Sequence, residues 1–261
     1  MPLIGFESDK GNRVTFDECW KLQRFAGLPV EILYRIYLNT VAGDRPDGLS
    51  VTECLGCPRK AYLSKKLPYY ENPRFIFARF RGSMVHTVLE ETNQMYAPGT
   101  IISEKRYERL VPGTKVKLSG KIDKYLIRGK TLEDYKTLDD DRVKKLIESL
   151  PEDYIWQANI YKWILEGQGI EVINILIHFI SFKYAYTSGE ECLIVPKWGK
   201  PEWAKIPPCP VYNNSKIEDF LYHKIKDIVR QEMPPVVGPD KRWICPSCPF
   251  AKTHCWKDGL P

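Results

Sequence analysis

Three cysteines stand close together near the C-terminus, in "CPSCPFAKTHC", where Cys245, Cys248 and Cys255 form C-x2-C-x6-C. Three thiolates leave a tetrahedral metal or an iron-sulfur cluster one ligand short, so a fourth must come from elsewhere in the chain. Cys57 in "GCPRKAYL" is the best candidate, and Cys54, three residues before it, is the rival. Either choice brings a segment near residue 57 against one near residue 245, and no other feature restricts the fold as strongly. A cross-link closing so long a loop contributes roughly 5 kcal/mol by the chain-entropy estimate, comparable to the net stability of a domain. Cys19, Cys192 and Cys209 are isolated and read as packing or surface residues.

The ligation reading depends on the compartment. The longest apolar stretch lies near "EVINILIHFISF", short of the roughly 20 residues a membrane helix needs. The N-terminus lacks the apolar core of a signal peptide. A cytoplasmic location is therefore expected, and its reducing conditions make metal or cluster ligation a better use of eight cysteines than disulfides. Zinc and an iron-sulfur cluster both suit four thiolates, and the spacing does not separate them. At 43% apolar and 28% charged residues the composition is that of an ordinary globular protein. The net charge of +6 suits a polyanionic partner such as nucleic acid, and equally a solvated mixed surface.

Along the chain, residues 1–49 read as a helical N-terminal extension and 50–261 as the main domain. Thr15 and Glu18 form a capping box, Pro29 starts a second helix, and "AGDRPDG" ends it. A cysteine-bearing helical segment and a long helix containing His86 follow. Then come "GTIISEKRYERLV", "TKVKLSGKIDKYLIR" and "KTLEDYKTL", strands separated by Pro112-Gly113 and Arg128-Gly129, a meander of hairpins. "PEDYIWQANIYKWILEG" is a helix between Pro151 and Gly167, "VINILIHFISF" a buried strand, and "KIEDFLYHKIKDIVRQE" one more helix. Helices flanking a mixed central sheet make an α/β or α+β protein.

Asp123 ends one strand in "GKID", and Asp134 lies in the next, so hairpin pairing sets the two carboxylates side by side; alternation puts Lys136 on the face of Asp134. Paired carboxylates repel unless one is protonated or a cation lies between them. Mg²⁺ or Mn²⁺ suits such a pair and would activate water for phosphodiester hydrolysis, with Lys136 orienting or helping to deprotonate that water and stabilising developing charge. The D-x-K triplet alone is common and usually an exposed ion pair. His86 is a further ligand candidate, Glu104 another acid that could equally be solvated, and Gln157 and Tyr161 share a helix face.

In order, "RGSMVH", "GKID", "EDYKT" and "QANIY" resemble the motifs of the RecB-like branch of the PD-(D/E)xK nuclease superfamily. The resemblance implies a restriction-endonuclease-like core in which His86, Asp123, Asp134 and the carbonyl of Tyr135 bind metal. It makes Lys136 catalytic with the two aspartates, while Gln157 and Tyr161 support the site and contact DNA. "CPRKAYL" and "CPSCP" look like stretches of the CRISPR-associated Cas-four family, and the cysteine pattern is similar to that of AddB-type nucleases. This implies an iron-sulfur cluster on Cys57, Cys245, Cys248 and Cys255, four-iron in preference to two-iron, clasping the N- and C-terminal segments. The family's activity is DNA cleavage, commonly exonucleolytic on single strands, in prespacer processing with the Cas-one and Cas-two integrase. The same motifs would serve a repair or viral nuclease, or a non-catalytic DNA-binding or assembly subunit that keeps the fold. Basic residues in "RKAYLSKK" and "RFIFARFR" are candidates to track phosphates.

Overall fold

The computed structural model describes residues 3–41, 48–97, 99–139, 142–181, 184–194, 200–229, 232–238 and 244–256. In chain order the elements are β1 (Leu3–Glu7), β2 (Arg13–Thr15), α1 (Phe16–Cys19), β3 (Arg24–Phe25), β4 (Leu28–Pro29), α2 (Val30–Val41), β5 (Gly48–Ser50), α3 (Val51–Leu55), α4 (Pro58–Lys66), β6 (Tyr69–Glu71), α5 (Pro73–Tyr96), β7 (Ile101–Ser103), β8 (Arg106–Leu110), β9 (Lys117–Lys121), β10 (Lys124–Leu126), β11 (Thr131–Thr137), α6 (Val143–Glu148), α7 (Glu152–Glu166), β12 (Asn174–Ile180), β13 (Ala185–Thr187), β14 (Glu191–Ile194), β15 (Glu202–Lys205) and α8 (Asn214–Ile228), with a π-helical turn at Ala251–Cys255. Several sheets, three of them mixed parallel and antiparallel, occur with helices, an α+β architecture. Among the described residues no helix is long and apolar enough to cross a membrane.

The chain divides into two units. The first takes in Met1–Asp47, Gly56–Arg81 and His223–Pro261. Thr15 caps α1 as its sequence suggests: its hydroxyl accepts from the Glu18 amide at 3.3 Å, and Glu18 accepts from the Thr15 amide at 2.9 Å. The helix α2 follows Pro29, also as expected. The strands β1 and β2 are additional, because β1 pairs in parallel with the distant β6, a partnership that leaves no local signature. Phe6, Phe16, Leu33, Ile36 and Ile76 form this unit's core with Cys19, which is a packing residue.

The second unit comprises Gly48–Leu55 and Gly82–Tyr222. Its five-stranded sheet has the order β13-β12-β11-β10-β7, with β11 and β12 parallel and the remaining pairs antiparallel. Parallel neighbours need a crossover, and α7 supplies it, burying Trp156, Ile160, Tyr161, Trp163 and Ile164. Leu132, Ile177 and Phe179 share one face of the paired strands and are fully buried there, while the opposite face of β12 is only half-buried or exposed.

The segments at 99–111 and 114–128 are not unbroken hairpin strands. Each splits, so that β7 and β10 belong to the five-stranded sheet while β8 and β9 join β5 in a three-stranded sheet of order β5-β9-β8. The break falls at Glu104 and at Asp123. Glu104 has φ of 49°, a left-handed conformation that strains a residue with a side chain. Two bonds hold the kink: the Glu104 amide donates to Asp123 O at 3.1 Å, and the Ile122 amide to Lys105 O at 3.0 Å.

Candidate metal centre and cysteine cluster

The kink assembles a site. One step beyond the last β10–β11 pair, Lys124 with Glu133, lie Asp123 and Asp134. The Tyr135 amide donates to Asp123 Oδ2 at 2.7 Å and fixes that carboxylate against β11. His86 approaches on α5, whose Gly82 lets the helix pass β11; a Cβ there would lie 3.3 Å from Thr137 Oγ1. His86 Nδ1 is 3.1 Å from Glu104 Oε1 and 3.2 Å from Asp123 Oδ1. Donor atoms of His86, Glu104 and Asp123 all fall within 4.8 Å of one another, and no other trio of such residues does so among the described residues.

Glu104 is the ligand candidate that sequence reading left level with a solvated glutamate; its side chain is only 4% exposed, and Lys121 pairs with its other oxygen. The signal that could have found it is the alternating basic and acidic run around a kinked strand, which has no simple sequence form. Asp134 lies beside the trio rather than in it. Its Oδ2 is 2.5 Å from Lys136 Nζ, the two side chains being 2% and 14% exposed.

Charge in the site is finely divided. Burial disfavours a charged His86, but hydrogen bonds and charge from Asp123 and Glu104 outweigh it and raise its pKa to about 10. An imidazolium thus takes the position of a cation between two carboxylates. Burial pushes the Asp134 carboxyl up to about 6, with the Asp123 charge adding to it and Lys136 opposing. Burial works against the Lys136 ammonium, yet Asp134 and Asp123 raise its pKa overall, so it remains protonated at neutral pH. Lys136 is accordingly a donor and a positive charge here, and has no lone pair to act as a base. Tyr161 comes close enough for its titration to feel Lys136 and Asp134 after burial, and Gln157 Nε2 donates to its hydroxyl at 2.9 Å. The predicted site residues of the second unit therefore gather around one point. Tyr135 contributes its amide, and its ring stacks on His178 with centroids 5.3 Å apart.

The cysteines fall in the first unit. Cys57 is the N-cap of α4, its Sγ accepting from the Lys60 amide at 3.4 Å. Burial raises the Cys248 thiol pKa, and Cys57 and Cys255 add to it; burial also raises Cys255, and Cys57 and Cys245 add to that. The four thiols thus lie within electrostatic reach of one another, although no three of their sulfur atoms fall within 4.8 Å. Cys54 is fully buried in α3 of the other unit. Arg59 straps this region, donating to Pro234 O at 3.0 Å and His254 O at 2.6 Å, and Lys60 pairs with buried Glu71. These two cations of the "RKAYLSKK" stretch are engaged internally; the side chains of Arg74 and Arg79 lie outside the described residues. Cys192 is half-buried, and buried Cys209 has its thiol pKa pushed up to about 12, by burial first and then by Asp134.

No family model and no curated protein matches the sequence. Among solved structures the chain is similar to the crystal structure of SSO0001, with a TM-score of 0.53 and 16% identity, over 85% of this chain and 92% of that one. At that identity the likeness is one of fold.

Proposed function

We propose that the protein is a divalent-metal-dependent deoxyribonuclease of the RecB-like PD-(D/E)xK type, acting on DNA ends with a preference for single strands. The observation that carries this reading is the trio of His86, Glu104 and Asp123 within 4.8 Å, beside the buried Asp134–Lys136 pair. The donor set fits a hard cation: carboxylate oxygens and one imidazole suit Mg²⁺ or Mn²⁺. His86, Glu104, Asp123 and Asp134 would hold the ion, which when bound supplies an acidified water and neutralises charge on a phosphoryl oxygen. The protein's own groups do the rest. Lys136, kept protonated, donates to the attacking oxygen or the phosphoryl oxygens as charge builds. Tyr161, held by Gln157, packs beside Lys136 and limits where that ammonium can point. Asp123 is held in place by the Tyr135 amide.

In the same reading Cys57, Cys245, Cys248 and Cys255 hold an iron-sulfur cluster, four-iron in preference to two-iron, and close the clasp. Their shared electrostatic neighbourhood supports this set. The motif resemblance supports a Cas-four type of role, in prespacer processing beside the Cas-one and Cas-two integrase. The test is incubation of anaerobically purified protein with single-stranded DNA labelled separately at each end, in Mn²⁺, beside Asp134→Ala. Degradation that disappears in the variant is the expected result, and the label released first gives the polarity. DNA binding without cleavage by either protein would replace this reading with that of an assembly subunit.

A further inference from the structure

Resting on the nuclease reading, we propose that the β8–β9 ribbon is a phosphate track that leads single-stranded DNA to or from the metal centre. The ribbon begins at the site itself: Arg106 follows Glu104 by two residues, and Lys121, its cross-strand partner, precedes Asp123 by two. Directly opposed residues share a face, so exposed Arg106, Glu108, Leu110, Lys117 and Lys121 lie on the same side, with buried Ser119 between them. Facing cations destabilise a strand pair. Lys121 is answered by Glu104, but among the described residues the side chains of Arg106 and Lys117 have no ion pair or hydrogen bond.

A cleft of about 350 Å³ runs along β8, lined by Arg106, Tyr107, Glu108, Lys117 and Gln168 among others. The charge of Arg109 in this cleft is already committed, since it donates to Trp163 O at 2.6 Å, pairs with Glu218 and lies 4.1 Å over the Trp163 ring. Arg106 and Lys117 are left, near opposite ends of the ribbon, against the one carboxylate of Glu108. The backbone adds donors. The bonds from Ile122 to Lys105 and from Val111 to Val116 show that odd-numbered residues of β8 face β9. Hence Arg106, Glu108 and Leu110 turn their amides to the open edge. Gln168 occupies only the Glu108 carbonyl there, at 2.8 Å. Unanswered cations and outward amides along a cleft whose strand leads directly from Glu104 suit a single-stranded phosphodiester chain.

The test measures binding of fluorescein-labelled single-stranded DNA in EDTA, where cleavage is off, across a salt series. Wild type is compared with Arg106→Ala/Lys117→Ala and with the double Glu variant, alongside hydrolysis of bis(4-nitrophenyl) phosphate in Mn²⁺. The Ala variant should bind several-fold more weakly, and the slope of log K against log salt should shrink by about 1.4, since each lost single-strand contact removes about 0.7. The Glu variant should bind more weakly still, while hydrolysis of the small diester stays at the wild-type rate. Unchanged affinity and slope, with Asp134→Ala still abolishing cleavage, would overturn the track and leave the nuclease intact. Loss of small-diester hydrolysis in both variants would also overturn it, because the residues would then act on the site. A wild type that binds no DNA would remove both readings.

Discussion

Gly120 offers the sharpest test of how the site is built. It sits in β9, and a Cβ placed there would come 2.5 Å from Tyr161 Cε1 and 2.7 Å from Cδ1, with Val51 Cγ2 at 3.3 Å. Ordinary carbon contacts need about 3.5–4.0 Å, so Gly120→Ala must drive the ring back by about 1 Å. The ring cannot swing into solvent, being only 6% exposed and held at its hydroxyl by Gln157. Overpacking of this kind costs about 1–3 kcal/mol. Tyr161 neighbours Lys136, and misplacing a catalytic group by about 1 Å costs on the order of a hundredfold in rate. Thermal unfolding and single-strand cleavage of Gly120→Ala should therefore both fall, the second far more than the first. Adding Tyr161→Leu removes the overlapping ring and should restore stability without restoring cleavage, a non-additive pair of the kind contacting residues show. A Gly120→Ala protein as stable and active as wild type would refute the claim that this close approach positions Tyr161.

Cys248→Ala should lose any cluster absorbance and unfold early, checked by visible spectroscopy and thermal melting; a colourless variant that melts and cleaves like wild type would contradict the clasp. Glu104→Ala should abolish Mn²⁺ binding in calorimetry while Glu108→Ala, two residues along β8, leaves it unchanged; equal binding by both variants would remove Glu104 from the ligand set. In metal-free protein the raised His86 pKa makes its stabilisation complete below about pH 6.5 and lost as pH rises through about 10. Denaturant unfolding in EDTA should therefore show stability falling across that window in wild type but not in His86→Gln; parallel profiles would rule out this assignment.

Much of this arrangement was legible because its signals are local. The capping box at Thr15 and Glu18, the Pro151 and Gly167 boundaries of α7, and the alternation that puts Asp134 and Lys136 on one face each need only a few neighbouring residues. Hairpin counting also brought Asp123 beside Asp134. What sequence could not supply was the kink. Nothing in "SEKRYE" announces a left-handed Glu104, and without that bend Glu104 reads as one more charge on a polar strand. The parallel pairing of β1 with β6 was hidden for a related reason, since its partners are joined only through the folded unit. The sequence marks Tyr161 both by its helix face and by the motif resemblance that makes it a site-supporting residue; that Gly120 makes room for its ring is visible only once β9 lies beneath α7.

The proton on His86 also bears on the order of biosynthetic events. Because an imidazolium can stand between Glu104 and Asp123, the second unit need not await an ion in order to fold. On the proposed metal reading, loading would be an exchange, one proton leaving His86 as the ion enters.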